Sequence, residues 1–131
     1  MFAAQGPARL IAIFDWEMAT IGDPLADVGY MLMQWTEPGD PVGKFNLNNV
    51  TLRPGFPTRA ELTAAYEERS GRSVQALDWY VTLALWKAVV FMEGNYKRAL
   101  AGSTDDPYLQ SFGEGVLEIA DRAVAVSRHG L

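Results

Sequence analysis

Between Val74 and Ala101 the chain carries a helical pattern that is apolar on nearly every side, and this limits the fold more than any other stretch. Trp79, Leu83, Trp86 and Val90 recur at helical spacing along one stripe, while Val81, Leu85, Val89 and Met92 line another. A helix with two apolar stripes needs neighbours on several sides, so the spacing predicts a central pillar over 74–101, stopped at Gly102. Continuing the tryptophan stripe reaches Glu93 and then Lys97, where the pattern asks for apolar groups. A carboxylate there must be paired, protonated or facing a wet cavity.

The neighbours are legible as three more helices. Asp23-Pro24 has the form of an N-cap followed by proline at the first helical position, opening a helix over 23–35. Leu25, Val28, Leu32 and Trp35 form its core stripe, and Tyr30, Met31 and Met33 leave little polar surface elsewhere. Residues 36–57, rich in proline, glycine and asparagine, read as a long irregular connection. Thr58 and Glu61 then make a capping box for a helix over 58–71, with Leu62, Ala65 and Tyr66 inward and Gly71 at its end. Asp106-Pro107 repeats the cap-plus-proline signal for a terminal helix over 106–128. Its inward face is Phe112, Val116, Ile119, Ala123 and Val126, with a Glu118–Arg122 pair outside. At the other end, Met1–Ala4, the turn residues Gln5–Ala8 and the apolar run Arg9–Phe14 suggest a hairpin over 1–14. The expected fold class is mainly α with a short N-terminal β-hairpin, in one domain without internal repeats.

Charge and composition exclude several functions. Eleven Lys and Arg against sixteen Asp and Glu give −5, with the basic residues scattered, so no footprint for nucleic acid is present. No run of about 18 apolar residues suggests a membrane span. The chain lacks cysteine, which is compatible with a reducing cytoplasm. Met1–Ala4 is too short and too uncharged at its start for a signal peptide.

The chemistry concentrates in the turn over 15–22 and just beyond it. Asp15, Glu17, Asp23 and Asp27 fall within thirteen positions, directly after an apolar strand whose carboxyl end is where ligands gather in mixed α/β architectures. Taken from the residues alone, Asp15 is more simply an aspartate that ends a strand and bonds its own turn. Glu17 is a solvated turn residue or a group beside a metal. Asp23 is a helix cap, and Asp27 is a first-turn carboxylate favoured by the helix dipole. On the long helix, Trp79 and Trp86 read as core, Lys87, Lys97 and Arg98 as solvated, and Glu93 as paired at i+4. The lone histidine, His129, sits in a polar tail after the last helix with no Ser, Asp or Cys constellation around it.

The run IAIFDWEMATIGDPLADVGY resembles the metal-binding segment of the aminoglycoside phosphotransferase-like kinases, in the branch related to kinase-like domains found beside or fused to acyl-CoA dehydrogenases. Weaker similarity continues through LALWKAVVFMEGNYKRALAG. The resemblance implies the helical C-lobe of a kinase-like fold. It places Asp15 where that family holds its metal-binding aspartate, a hard oxygen ligand suited to magnesium between phosphates. Glu17, Asp23 and Asp27 would then support that site. Glu93, Tyr96 and Arg98, beside Trp86, would orient the acceptor, with Tyr30 and Trp35 as an apolar wall.

The same resemblance exposes what this chain does not contain. The family's His-Gly-Asp loop with a following Asn has no counterpart, because residues 1–14 contain no His, Asp or Asn, and no Gly-rich nucleotide loop precedes Asp15. The expectation is that Met1 is an internal methionine of a longer kinase. The complete enzyme would use Mg²⁺ with ATP on a hydroxylated small molecule, whereas the chain alone should be inactive and hold no cofactor. The surface uncovered by the missing lobe would favour a homo-oligomer. A non-catalytic interaction module is the alternative.

Overall fold

The computed structural model of the protein describes residues 1, 5–7, 9–17, 19–41, 43 and 49–131. Among the described residues five α-helices are formed: α1 Leu25–Gln34, α2 Arg59–Ser70, α3 Leu77–Leu100, α4 Pro107–Gln110 and α5 Phe112–His129, with a 3₁₀ turn at Val50–Leu52. α3 is the pillar, packed against both α1 and α5. Leu32 of α1 and Val81 and Leu85 of α3 are fully buried at the centre. Met33, Met92, Phe112, Val116, Ile119 and Val126 complete the core around them. None of the described helices is long and apolar enough to cross a membrane.

The helix signals work as the sequence reading expects. Asp23 accepts the Leu25 amide at 2.9 Å, and helical hydrogen bonding begins at the Asp23 carbonyl, with Pro24 in the first turn. Thr58 and Glu61 form the reciprocal box, the Glu61 amide reaching Thr58 Oγ1 at 3.1 Å and the Thr58 amide reaching Glu61 Oε2 at 2.7 Å. Gly71 closes α2 in the left-handed conformation at φ 66°. α2 buries no residue fully; only Leu62 and Tyr66 lean on the core.

Three expectations need correction, all in the helical part. Over 1–14 no strand is formed among the described residues, and the expected hairpin rests partly on residues outside them. Leu10 carries a single bridge, Ile11 N–H donates to the Met1 carbonyl at 3.1 Å, and the Met1 ammonium donates to the Ala12 carbonyl at 2.7 Å. Residues 2–4 and 8 of that hairpin lie outside the described residues. The terminal helix is two helices; at the break the Ser111 hydroxyl donates to the Tyr108 carbonyl at 2.6 Å and competes with helical bonding there. α5 runs to His129, so that residue ends a helix instead of standing in a tail.

The third correction concerns the tryptophans. Trp79 and Trp86 are 61% and 58% exposed, so they are not core. α1 and α5 cover the Val81–Leu85–Met92 side of α3 and leave the tryptophan stripe open. Together with Ala123, Val124 and Ser127 of α5 it lines an apolar trough of about 350 Å³.

α1 and α3 meet closely for a specific reason. A Cβ at Gly29 would stand 2.7 Å from the Tyr80 carbonyl carbon and 2.8 Å from the Tyr80 Cβ, so the helices touch only because position 29 has no side chain.

Candidate functional site

Asp15 sits at the mouth of the acidic turn with φ 73°, the one non-glycine residue with positive φ among the described residues. That conformation costs free energy for any residue with a Cβ, and such strain collects at binding and catalytic positions. Its side chain is exposed, as is that of Glu17. The turn is held by its own backbone: the Trp16 indole donates to the Ile13 carbonyl at 2.8 Å, and Ala19 N–H donates to the Trp16 carbonyl at 2.9 Å. Periodicity could not have revealed the strained backbone, since nothing in Asp-Trp-Glu demands it.

Asp23 closes the turn and is committed on both oxygens. Oδ1 caps α1, while Oδ2 accepts the Tyr80 hydroxyl at 2.7 Å from α3. The Leu25 amide first and the Tyr80 hydroxyl second hold the Asp23 carboxyl below its usual pKa. The same bond raises the Tyr80 phenol. Asp27 lies exposed in the first turn of α1, as its reading as a dipole-favoured carboxylate requires.

The other named residues do not gather around one point. Trp35 ends α1, its indole donating to the Pro57 carbonyl at 3.0 Å and its ring edge-on to Phe56 at 5.8 Å. Tyr30 projects outward from α1. Tyr96 packs against α5, where a Cβ at Gly113 would come within 2.6 Å of its ring. Glu93 pairs with Lys97 at 3.2 Å on the surface, as i+4 spacing requires. Arg98 donates to Asn95, a buried amide whose Nδ2 in turn donates to the Phe91 carbonyl at 2.8 Å. Trp86 belongs to the apolar trough.

A cluster that sequence reasoning missed fastens the long connection. Arg59, its side chain 13% exposed, donates to Glu37 at 3.1 Å, to Asp40, and to the Trp35 carbonyl at 2.7 and 3.0 Å. Its backbone amide donates to Glu37 as well, at 2.6 Å. Burial alone would raise the Asp40 pKa, but the Arg59 guanidinium and the Glu37 amide outweigh it and hold that carboxyl low. Arg122 of α5 faces the same group, and burial followed by repulsion from Arg59 lowers its own pKa. Beneath them, the buried Thr51 hydroxyl donates to the Thr36 carbonyl at 2.8 Å and accepts the Thr36 amide at 3.1 Å. Charges nineteen and twenty-two residues apart leave no local signal, which is why this cluster could not be read in advance.

Among the described residues no three His, Cys, Asp or Glu side chains converge as a metal site. Asp15 is a hard oxygen donor of the kind magnesium takes, Glu17 stands two positions on, and Asp23 is already engaged. The donor chemistry of Asp15 therefore fits such an ion, but the described residues offer no second free carboxylate converging on it.

An exposed aspartate with positive φ thus stands between an apolar run and the first helix of a mainly helical body. The chain belongs to the phosphotransferase enzyme family (APH), whose family model matches residues 1–80. It is 29% identical over 124 residues to human acyl-CoA dehydrogenase family member 11, covering 92% of this chain and 16% of that protein. It is 27% identical over 118 residues to acyl-CoA dehydrogenase family member 10 of Mus musculus, covering 88% and 11%. A probable acyl-CoA dehydrogenase of Arabidopsis thaliana is 29% identical over 106 residues, covering 72% and 12%. The chain thus spans about a tenth to a sixth of the length of these relatives. No solved structure matches it.

Proposed function

We propose that this chain is the substrate-side part of a kinase that moves the γ-phosphate of ATP, or of GTP, to a hydroxyl of a small molecule. The observation that carries the reading is Asp15: exposed, left-handed in φ, and placed in a family-matched segment directly before the Asp23-capped helix. In the complete enzyme Asp15 would hold Mg²⁺ together with oxygens of the nucleotide and of a catalytic loop; bound there, the ion would neutralise charge on the transferring phosphate. Glu17 stands beside that position, and Asp23 and Asp27 fix the helix behind it. The hairpin over 1–14 belongs to the same arrangement, as the strand pair that would lead from the catalytic loop to Asp15.

The relatives are acyl-CoA dehydrogenase family members, which supports an acyl-thioester acceptor for this chain. A hydroxyacyl thioester therefore stands ahead of an aminoglycoside, since the acidic residues of this chain are not gathered in one C-terminal run. Trp86, Glu93, Tyr96 and Arg98 on α3 and Tyr30 and Trp35 on α1 are proposed for the acceptor side, in the cytoplasm. The chain by itself should not turn over nucleotide. Magnesium-dependent ATP hydrolysis by the purified 131-residue protein that vanishes in Asp15→Ala would refute its inactivity, while confirming the role of Asp15.

A second reading has its own observation. Leu10, Ile11, Ile13, Phe14, Trp16 and Ile21 are all exposed, an unusual density of bare apolar side chains in one segment. Such a surface would make the chain a self-associating or partner-binding module. Met18, in the same region, lies outside the described residues. A clean monomer in light scattering at high concentration would count against this module.

A further inference from the structure

The acidic turn has little to hold it in place. Residues 9–17 and 19–22 are exposed except for a half-buried Ala12, and their hydrogen bonds given above stay within the N-terminal segment. The turn joins the helical body at Asp23. There one carboxylate oxygen caps α1, and the other accepts the hydroxyl of Tyr80, fifty-seven residues away on the pillar.

Tyr80 is itself fixed by two independent contacts. Its backbone and Cβ abut Gly29, where the missing side chain lets α1 settle on α3. Its ring stands edge-on to Trp79, with centroids 4.8 Å apart. With the base of the side chain immobilised and the ring braced, the hydroxyl is aimed at one place. That place is the boundary between the strained turn and α1.

We propose that Tyr80 is a positioning residue: its hydroxyl, through Asp23, locks the trailing end of the Asp15–Asp23 turn to α3 and so sets the direction in which Asp15 presents its carboxylate. The role of Asp15 as a metal ligand is the reading given above, on which the functional meaning of the lock rests; the lock itself does not depend on it. A turn tethered at one end by a charge-assisted hydrogen bond samples fewer orientations, so the ligand is pre-arranged before any metal arrives. The reciprocal pKa displacements of Asp23 and Tyr80 accord with one strong shared bond.

The test uses Tyr80→Phe, which keeps the ring, its contact with Trp79 and its seat on Gly29. Amide hydrogen exchange in residues 13–22 should accelerate roughly five- to tenfold, the worth of one exposed charge-assisted hydrogen bond, while exchange in the α3–α5 core stays as in the wild type. Unchanged exchange in the turn would overturn the proposal, as would acceleration spread evenly through the core. Asp23→Asn, whose carbonyl oxygen can still accept the Leu25 amide while its NH2 donates to the Tyr80 hydroxyl oxygen, should restore slow exchange in the turn relative to Asp23→Ala; equal acceleration in the two would also overturn it. Line broadening by Mn²⁺ alone is the second readout. Broadening centred on Asp15 and weakened several-fold in Tyr80→Phe supports the lock and the ligand together. Broadening that survives Asp15→Asn unaltered removes the metal reading, and the exchange result still judges the lock.

Discussion

Replacing Arg59 by alanine removes the residue that ties the 36–57 connection to the helical body, and its cost can be worked from the contacts. The guanidinium serves Glu37, Asp40 and the Trp35 carbonyl, and the two carboxylates are only 26% and 24% exposed. Truncation leaves both without that partner in a partly dry setting, where an abandoned charge costs more than the bond itself contributed. Arg122 remains close to Asp40 and offsets part of the loss. A destabilisation of about 2–4 kcal/mol is expected, which for a domain of this size lowers Tm by roughly 10 °C. Urea unfolding followed by helical circular dichroism measures it. Arg59→Lys separates charge from geometry: a single ammonium cannot serve three acceptors in a fork, so it should recover less than half of the loss. Because the cluster is shielded, added salt should change the wild-type–alanine difference little. A loss under about 1 kcal/mol for alanine, or full recovery by lysine, would refute the reasoning, since those are the marks of a solvated surface pair.

Gly29→Ala should destabilise by about 1–3 kcal/mol, because the new Cβ meets Tyr80 backbone that cannot swing aside; chemical denaturation midpoints would show it. Asp15→Gly should stabilise the chain by roughly 0.5–1 kcal/mol by releasing the left-handed strain, the reverse of what losing an ordinary structural aspartate does. A fall in Tm for that variant would mean the carboxylate earns its place structurally. Asp23, Asp40 and Glu61 each titrate below their ordinary values in the folded chain, so below those values the unfolded chain binds more protons. Their contribution is complete above the ordinary values of 3.8 and 4.5 and is lost as pH falls through the lower folded values; urea midpoints measured from neutral pH down to strong acid should be flat and then drop. Leu85→Ala, at a fully buried position, should cost about 2–5 kcal/mol in the same assay.

Local chemistry was the legible part. Thr58 with Glu61, Gly71 and Asp106-Pro107 each announce a helix end through bonds made within a few residues, and each is found in place; Asp23-Pro24 marks its helix one residue early, with Pro24 as the N-cap and Asp23 accepting the Leu25 amide. Which side of α3 is covered was not legible, since both of its stripes are equally apolar and only the positions of α1 and α5 decide between them. Tyr80 and Arg59 escaped notice for a related reason: their partners are distant in sequence, and a tyrosine or an arginine beside a helix start carries no mark of what it will reach. The candidate site was readable as a cluster of acids but not as a geometry. The left-handed backbone at Asp15 and the dual engagement of Asp23 exist only once the chain is folded.

The Thr36–Thr51 clasp pinches the connection at its neck, with the neighbouring Arg59 contacts acting as a second knot. What lies beyond a pinch of this kind can lengthen or shorten at a logarithmic entropic charge, because the ends are joined whatever the span between them. Insertions between Pro41 and Asn49 should therefore leave the packing of α1, α3 and α5 untouched, whereas Glu37 and Asp40 are bound to Arg59 and are not free to change.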